Sequence, residues 1–245
     1  MRPAPFLKGI SLQRERIHAP DEYPFCLAVI RNLETLSFQS AVTFFVGDNG
    51  SGKSTLLEAI AVAAGLNAEG GGRHFRFGTR ASHSNLSSYL RLTRTPARPT
   101  DDFFLRVETL YNLATEVERL EVSGYGDRSL HEQSHGESLL AILVDRLRGD
   151  GLYLLDEPEA ALSPSRQLAA LVRIHDLVEQ HSQFVISTHS PILMAYPGAD
   201  ILQLTEAGVV RTRYEDTEQY LITRDVLNAP AKIMSDLFAE HEDSG

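Results

Sequence analysis

The chain has 245 residues, 42% of them hydrophobic, and a formal net charge of -10, enough to bury one sizeable core and within the range of a single large α/β domain. That acidity argues against wholesale wrapping of nucleic acid or docking on an acidic membrane, although a local basic face fits within the total. Cys26 is the only cysteine, so no internal disulfide forms. The apolar runs fall far short of the roughly 20 residues that cross a bilayer, and Met1 to Gly9 has no run of signal-peptide type. The expectation is a soluble cytoplasmic protein.

In chain order, Phe25 to Phe38 reads as strands of an antiparallel edge. Ala41 to Val46 (AVTFFV) is a β-rich run ending at Gly47, and Lys53 to Leu66 follows with Leu56, Ile60 and Ala63 at helical spacing. Glu69 to Gly72 and Thr95 to Asp102 are the flexible-looking stretches. A helix bearing Leu139, Leu140, Leu143 and Leu147 starts after Ser134 and stops at Gly149. Leu152 to Leu155 and Phe184 to Ser187 are short apolar strands, joined by a helix from Pro164 to Gln180 with Ser163 as N-cap and proline in its first turn. Ile201 to Leu204 and Val209 to Tyr214 flank a Glu-Ala-Gly turn, and Ala231 to Phe238 reads as helix. The alternation predicts an α/β fold with a mainly parallel sheet, one domain over 1–245. No internal repeat or heptad run occurs.

Gly47-Asp48-Asn49-Gly50-Ser51-Gly52-Lys53-Ser54, followed by Thr55, is a full GxxxxGK[ST] match between a predicted strand and a predicted helix. Such a turn aims backbone N–H groups and a helix N-terminus at a phosphate chain. Lys53 would neutralise the β and γ phosphates, and the Ser54 hydroxyl would serve Mg²⁺. Asp156 and Glu157 end the strand Leu152 to Leu155, at the edge where ligands of parallel sheets bind. Asp156 suits a carboxylate that holds Mg²⁺, and Glu157 a base that polarises the attacking water; the bland alternative is a pair of acids capping a strand before Pro158. His189 follows the strand Phe184 to Ser187 within reach of the same edge, as a γ-phosphate sensor or an incidental polar residue. Ser134 and Glu137 form a capping box, and Gly136 beside them leaves the helix start open as an anion-binding surface.

The motifs GDNGSGKST, QSHGES, LYLLDEPEAALSP and STHSP, in this order, resemble those of the ATP-binding-cassette (ABC) ATPases, and within them a RecF/SMC-like branch of small bacterial AAA-family ATPases. Ile30 to Leu33, Tyr214 to Thr217 and Leu221 to Leu227 also look like this group. The resemblance implies a P-loop fold with a mainly parallel central sheet, an antiparallel edge sheet and a helical subdomain within 70–148. It implies ATP and Mg²⁺ as ligands and hydrolysis with Glu157, His189 and Lys53 as catalytic residues. It further implies that Ser134, Gly136 and Glu137 bind the γ-phosphate of ATP held by a second copy, in an ATP-dependent homodimer.

The chain departs from the family pattern at three places. His135 stands where glycine is usual, Ser163 where Asp is frequent, and no glutamine between Gln39 and Gln133 supplies the usual Mg²⁺-sensing residue. The interval from Lys53 to Ser134 is too short for a long coiled-coil arm. Between Gly70 and Thr100 lie Arg73, Arg76, Arg80, Arg91, Arg94 and Arg98, with His74 and His83, Phe75 and Phe77, and no acid. The segment 73–98 is either a patch for nucleic acid or an acidic partner, or a set of cations compensated elsewhere in the chain. Three functions follow: an ATP-driven dimerisation switch acting on nucleic acid or a partner protein, the motor subunit of a membrane permease, or a nucleotide-gated binding module of negligible turnover. The branch resemblance and the missing glutamine favour the first.

Overall fold

A computed structural model describes residues 4–73, 84–120, 122, 124–126 and 128–242, with backbone alone for 240–242. Its elements in order are β1 (Leu7–Leu12), α1 (Ala28–Arg31), β2 (Thr35–Ser37), β3 (Val42–Val46), α2 (Lys53–Ala64), β4 (Leu90–Arg94), β5 (Asp101–Arg106), α3 (Leu110–Arg119) and α4 (His135–Ala141). There follow β6 (Gly151–Asp156), α5 (Pro164–Glu179), β7 (Gln183–Ser187), α6 (Pro191–Met194), β8 (Asp200–Thr205), β9 (Gly208–Thr212), α7 (Glu218–Asn228) and α8 (Pro230–Glu242). The chain divides into two compact units, Met1–Arg211 and Thr212–Gly245. The second contains α7, with the Thr217 hydroxyl accepting from the Tyr220 N–H at its start, and α8.

The first unit is a six-stranded sheet ordered β5-β6-β7-β3-β8-β9 and a three-stranded antiparallel sheet ordered β2-β1-β4. Strands β5, β6, β7, β3 and β8 run parallel, as the strand-helix alternation predicts. Every residue of β3, β6 and β7 is buried, which is why these strands read as unbroken apolar runs. Between the sheets α2 buries Leu56, Leu57 and Ile60 completely against Phe104, Leu154, Val185 and Leu202, each side chain contributing about 1.5–3 kcal/mol on burial. The helix ends at Gly65, whose left-handed backbone returns its N–H to the last turn.

Three expectations are corrected. Phe25 to Phe38 is not a pair of strands: its first half is α1, which buries Val29 and Ile30, and only Thr35–Ser37 is extended. The partner of β2 is β1, which lies before the expected segment, and β4 pairs with the other edge of β1. Gly9 lets β1 approach β2, since a Cβ there would stand 2.5 Å from the Leu36 carbonyl oxygen. The flexible-looking stretch Thr95 to Asp102 runs into β5, whose opening acids are held in ion pairs: Asp101 accepts from Arg146 and the Tyr153 hydroxyl, and Asp102 pairs with Arg73. The helix after Ser134 also ends earlier than expected, passing through one wide turn at Ile142–Arg146 before Gly149.

Candidate functional site

The phosphate loop joins β3 to α2. Gly47 and Gly52 take positive φ angles of 141° and 96° in crowded places. A Cβ would stand 2.6 Å from the Leu204 carbonyl oxygen at the first and 2.9 Å from Val29 Cγ1 at the second, so neither tolerates a side chain. Gly52 caps α2 without a side-chain bond, and no acid lies in the first turn, which leaves the leading N–H groups available to an anion. Lys53 is 4% exposed, and its Nζ donates to the carbonyls of Gly47 and Asp48 at 2.9 and 2.8 Å. Burial pulls the Lys53 ammonium below its ordinary pKa, while Glu157, Asp156, Asp48 and Glu159 act to keep it charged. A buried cation resting on its own loop's carbonyls, with the Ser51 hydroxyl buried beside it and making no hydrogen bond among the described residues, suits a polyphosphate ligand.

The loop opens on a cavity of about 300 Å³ whose walls include Asn49, Lys53, Ser54, Glu157 and two residues the motifs do not mark, Tyr23 and Leu27. The Tyr23 hydroxyl lies 3.1 Å from the Thr55 Oγ1, and its ring is largely exposed. An isolated tyrosine before Pro24 belongs to no local pattern, and only the packing of α1 against the phosphate loop brings it there.

The adjacent strands β6 and β7 deliver the other candidates. Asp156 is buried, and its Oδ1 accepts the Ser187 hydroxyl at 2.6 Å. Glu157 sits at φ 47°, ψ 53°, a left-handed conformation uncommon outside glycine and frequent at functional positions. Its N–H donates to the Ser187 carbonyl at 3.1 Å, and its Oε1 lies 3.7 Å from His189 Nε2. The His189 N–H donates to Glu159 Oε1 at 2.5 Å. Burial, then Lys53, hold the His189 imidazole below its ordinary pKa, so it is neutral at pH 7. Burial pushes Glu159 up, against the pull of the His189 N–H.

For a divalent cation, no group of three or more His, Cys, Asp or Glu among the described residues forms a cage. One carboxylate from Asp156 and one hydroxyl from Ser54 are hard oxygen donors of the kind Mg²⁺ takes when phosphates and waters complete its shell. The residues therefore fit the ion.

Ser134, Gly136 and Glu137 are not among the walls of this cavity. The capping box is complete: the Ser134 hydroxyl accepts from the Glu137 N–H, and the Ser134 N–H and hydroxyl donate to Glu137 Oε2 at 2.9 and 2.8 Å. The Ser134 hydroxyl and backbone hold the Glu137 carboxyl below its ordinary pKa. Arg166 at the start of α5 reaches Ser134 Oγ and Glu137 Oε1, both at 3.4 Å. Gly136 is forced by proximity, since a Cβ would stand 2.5 Å from the Ala161 carbonyl oxygen. Ser163 caps α5 through the Arg166 N–H.

Of the basic segment, His74, Phe75, Arg76, Phe77, Arg80 and His83 lie outside the described residues. Arg73 pairs with Asp102, while burial and the charges of Arg73 and Arg98 lower the Arg94 pKa. Part of the positive charge is thus met inside the fold.

A family model described as "AAA domain, putative AbiEii toxin, Type IV TA system" matches residues 83–195, and one described as "AAA domain" matches 25–120. An "Uncharacterized ABC transporter ATP-binding protein" of Haemophilus influenzae is 24% identical over 210 residues, 73% of this chain and 75% of that protein. "ABC transporter G family member STR2" of Medicago truncatula is 27% identical over 180 residues, 62% of this chain and 24% of that longer protein, of which the chain spans about a quarter. The "SMC head domain from Thermotoga maritima" overlaps with a TM-score of 0.47 at 16% identity, over 87% of this chain and 100% of that one. No helix among the described residues is long and apolar enough to cross a membrane. With a phosphate loop between β3 and α2, acids at the end of β6, AAA-domain matches over 83–195 and 25–120 and an ABC ATP-binding relative, the chain is similar to the ABC-type P-loop ATPases.

Proposed function

We propose that the protein binds ATP with Mg²⁺, hydrolyses it, and uses the bound nucleotide to join two copies of itself. The observation that carries the reading is the convergence of Lys53, Asp156, Glu157 and His189 at the ends of β3, β6 and β7, which are neighbours in the sheet. Lys53 exchanges the carbonyls of Gly47 and Asp48 for the β and γ phosphates, and the N–H groups at the start of α2 take the remaining phosphate charge. Ser54 and Asp156 hold Mg²⁺, which when bound screens the phosphate oxygens from one another. Glu157 takes the proton of the attacking water, and the 3.7 Å gap to His189 leaves a neutral imidazole beside the γ-phosphate. Tyr23 and Leu27 cover the open side of the loop.

The homodimer is supported by an exposed helix start at Ser134 and Glu137 that does not line the chain's own phosphate-loop cavity. The partner class is nucleic acid or protein, reached through the exposed cations Arg91, Arg94 and Arg98. A motor role beneath a membrane permease has support in the description of the Haemophilus influenzae relative. Light scattering on Glu157→Gln with ATP, ADP and no nucleotide tests the assembly. A doubled mass with ATP alone is expected; the same mass in all three states rules the shared site out.

A further inference from the structure

Arg106 ends β5 in register with Asp156 on β6, and its side chain is 14% exposed. Its Nη1 donates to Glu58 Oε2 on α2 at 2.7 Å, its Nη2 reaches Glu108 Oε2 at 3.4 Å, and its Nε stands 3.4 Å from Asp156 Oδ2. The Nε proton makes no hydrogen bond among the described residues. Asp156 therefore has the Ser187 hydroxyl on one oxygen, a guanidinium against the other, and the Lys53 ammonium in its field.

An arginine cannot shed its proton in a protein, so this cation leaves Asp156 only by moving. A free divalent ion approaching the carboxylate meets a fixed like charge in a poorly solvated place, where repulsion is strong. A triphosphate changes that balance, because its oxygens offer the guanidinium and Lys53 other partners. Glu58 lies on the helix that the phosphate loop opens, so a shift of Arg106 is tied to the loop itself.

We infer that Arg106 sets the order of entry at this site: it closes Asp156 to free divalent cations and yields to a nucleotide, so that the metal enters as its nucleotide complex. The inference rests on the ATP and Mg²⁺ reading above. A purely structural Arg106, tying β5 to α2 through Glu58, makes no such difference to metal binding.

The test is Mn²⁺ binding without nucleotide, followed by electron paramagnetic resonance, on the full chain and on Arg106→Gln, Arg106→Lys and Arg106→Gln with Asp156→Asn. Arg106→Gln should bind Mn²⁺ at least about tenfold more tightly than the parent, Arg106→Lys should resemble the parent, and adding Asp156→Asn should erase the gain. No gain in a folded Arg106→Gln protein, or a gain that survives Asp156→Asn and so belongs to Glu58, overturns the inference. If Arg106→Gln does not fold, the parent decides. Tight Mn²⁺ binding by the parent without nucleotide, lost in Asp156→Asn, overturns it; Mn²⁺ binding that needs a non-hydrolysable ATP analogue upholds it. Binding of a fluorescent ATP analogue to the parent, with Mg²⁺ present, is measured alongside. Its absence defeats the nucleotide reading and leaves the Mn²⁺ comparison to judge Arg106 separately.

Discussion

Two helix starts in this molecule are finished in opposite ways. The first residues of α2 follow Gly52, which provides no side-chain cap, and the only charge in the turn is the buried Lys53. Those of α4 follow Ser134, whose hydroxyl and N–H are both engaged by Glu137, with Arg166 against the pair. The first start has free donors and needs an anion; the second is satisfied as it stands and exposed. A ligand on α2 therefore adds hydrogen bonds that folding left unmade, whereas one on α4 displaces bonds already present. Under the proposed function, that contrast predicts a strong nucleotide contact at α2 and a weaker, state-dependent contact at α4.

The contrast can be broken most directly at the chemistry. Glu157→Gln should lower steady-state turnover by roughly 10²- to 10⁴-fold, the range for loss of a general base, while ATP affinity stays close to that of the parent. Near-normal turnover would show that Glu157 is not the base. Lys53→Ala should weaken ATP binding by about ten- to hundredfold, as expected for one charge-assisted contact, measured by fluorescence titration. At α4, Ser134→Arg should abolish ATP-dependent association while leaving nucleotide affinity nearly unchanged. Ser134→Ala, which only removes the cap, should cost about 1 kcal/mol of stability in urea unfolding. Equal losses of affinity from Lys53→Ala and Ser134→Arg would erase the distinction between the two starts.

The smallest expected effect lies between β6 and β7. Burial raises the folded pKa of Glu159 above its ordinary 4.5. A raised carboxyl is easier to bury protonated, so its contribution is favourable below pH 4.5 and is lost as pH rises through the folded value. Glu159→Gln should therefore melt slightly higher than the parent at pH 7, with the difference shrinking towards pH 4.5. An advantage that is constant over that window would remove ionisation of Glu159 as its cause.

What was legible in the sequence was contiguous. The phosphate loop, the acids after β6, His189 after β7, the Ser134 capping box and the Ser163 cap are each set by residues within a few positions of one another, and local backbone geometry fixes what they can do. What was hidden depended on distant partners. Asp101 and Asp102 look like loop residues until Arg146, Tyr153 and Arg73 neutralise them; Val29 and Ile30 fit strand or short helix equally until they pack on α2. Tyr23 and Arg106 carry no motif, and reach the site only because α1 lies over the phosphate loop and β5 pairs with β6.

The bonds from Lys53 Nζ to the carbonyls of Gly47 and Asp48 have a consequence for selectivity. The ammonium is not waiting in solvent for a ligand; it is already solvated by the loop, and an anion binds by exchange. A single phosphate ion replaces those two contacts without much surplus, so inorganic phosphate should compete poorly even at concentrations well above those of nucleotide. A polyphosphate can take the ammonium and the α2 donors with one molecule, and the second set of contacts comes without a second loss of translational freedom. Under the proposed function, the resting loop should act as a threshold on chain length, passing over short anions that carry the right charge but cannot span both sets of donors.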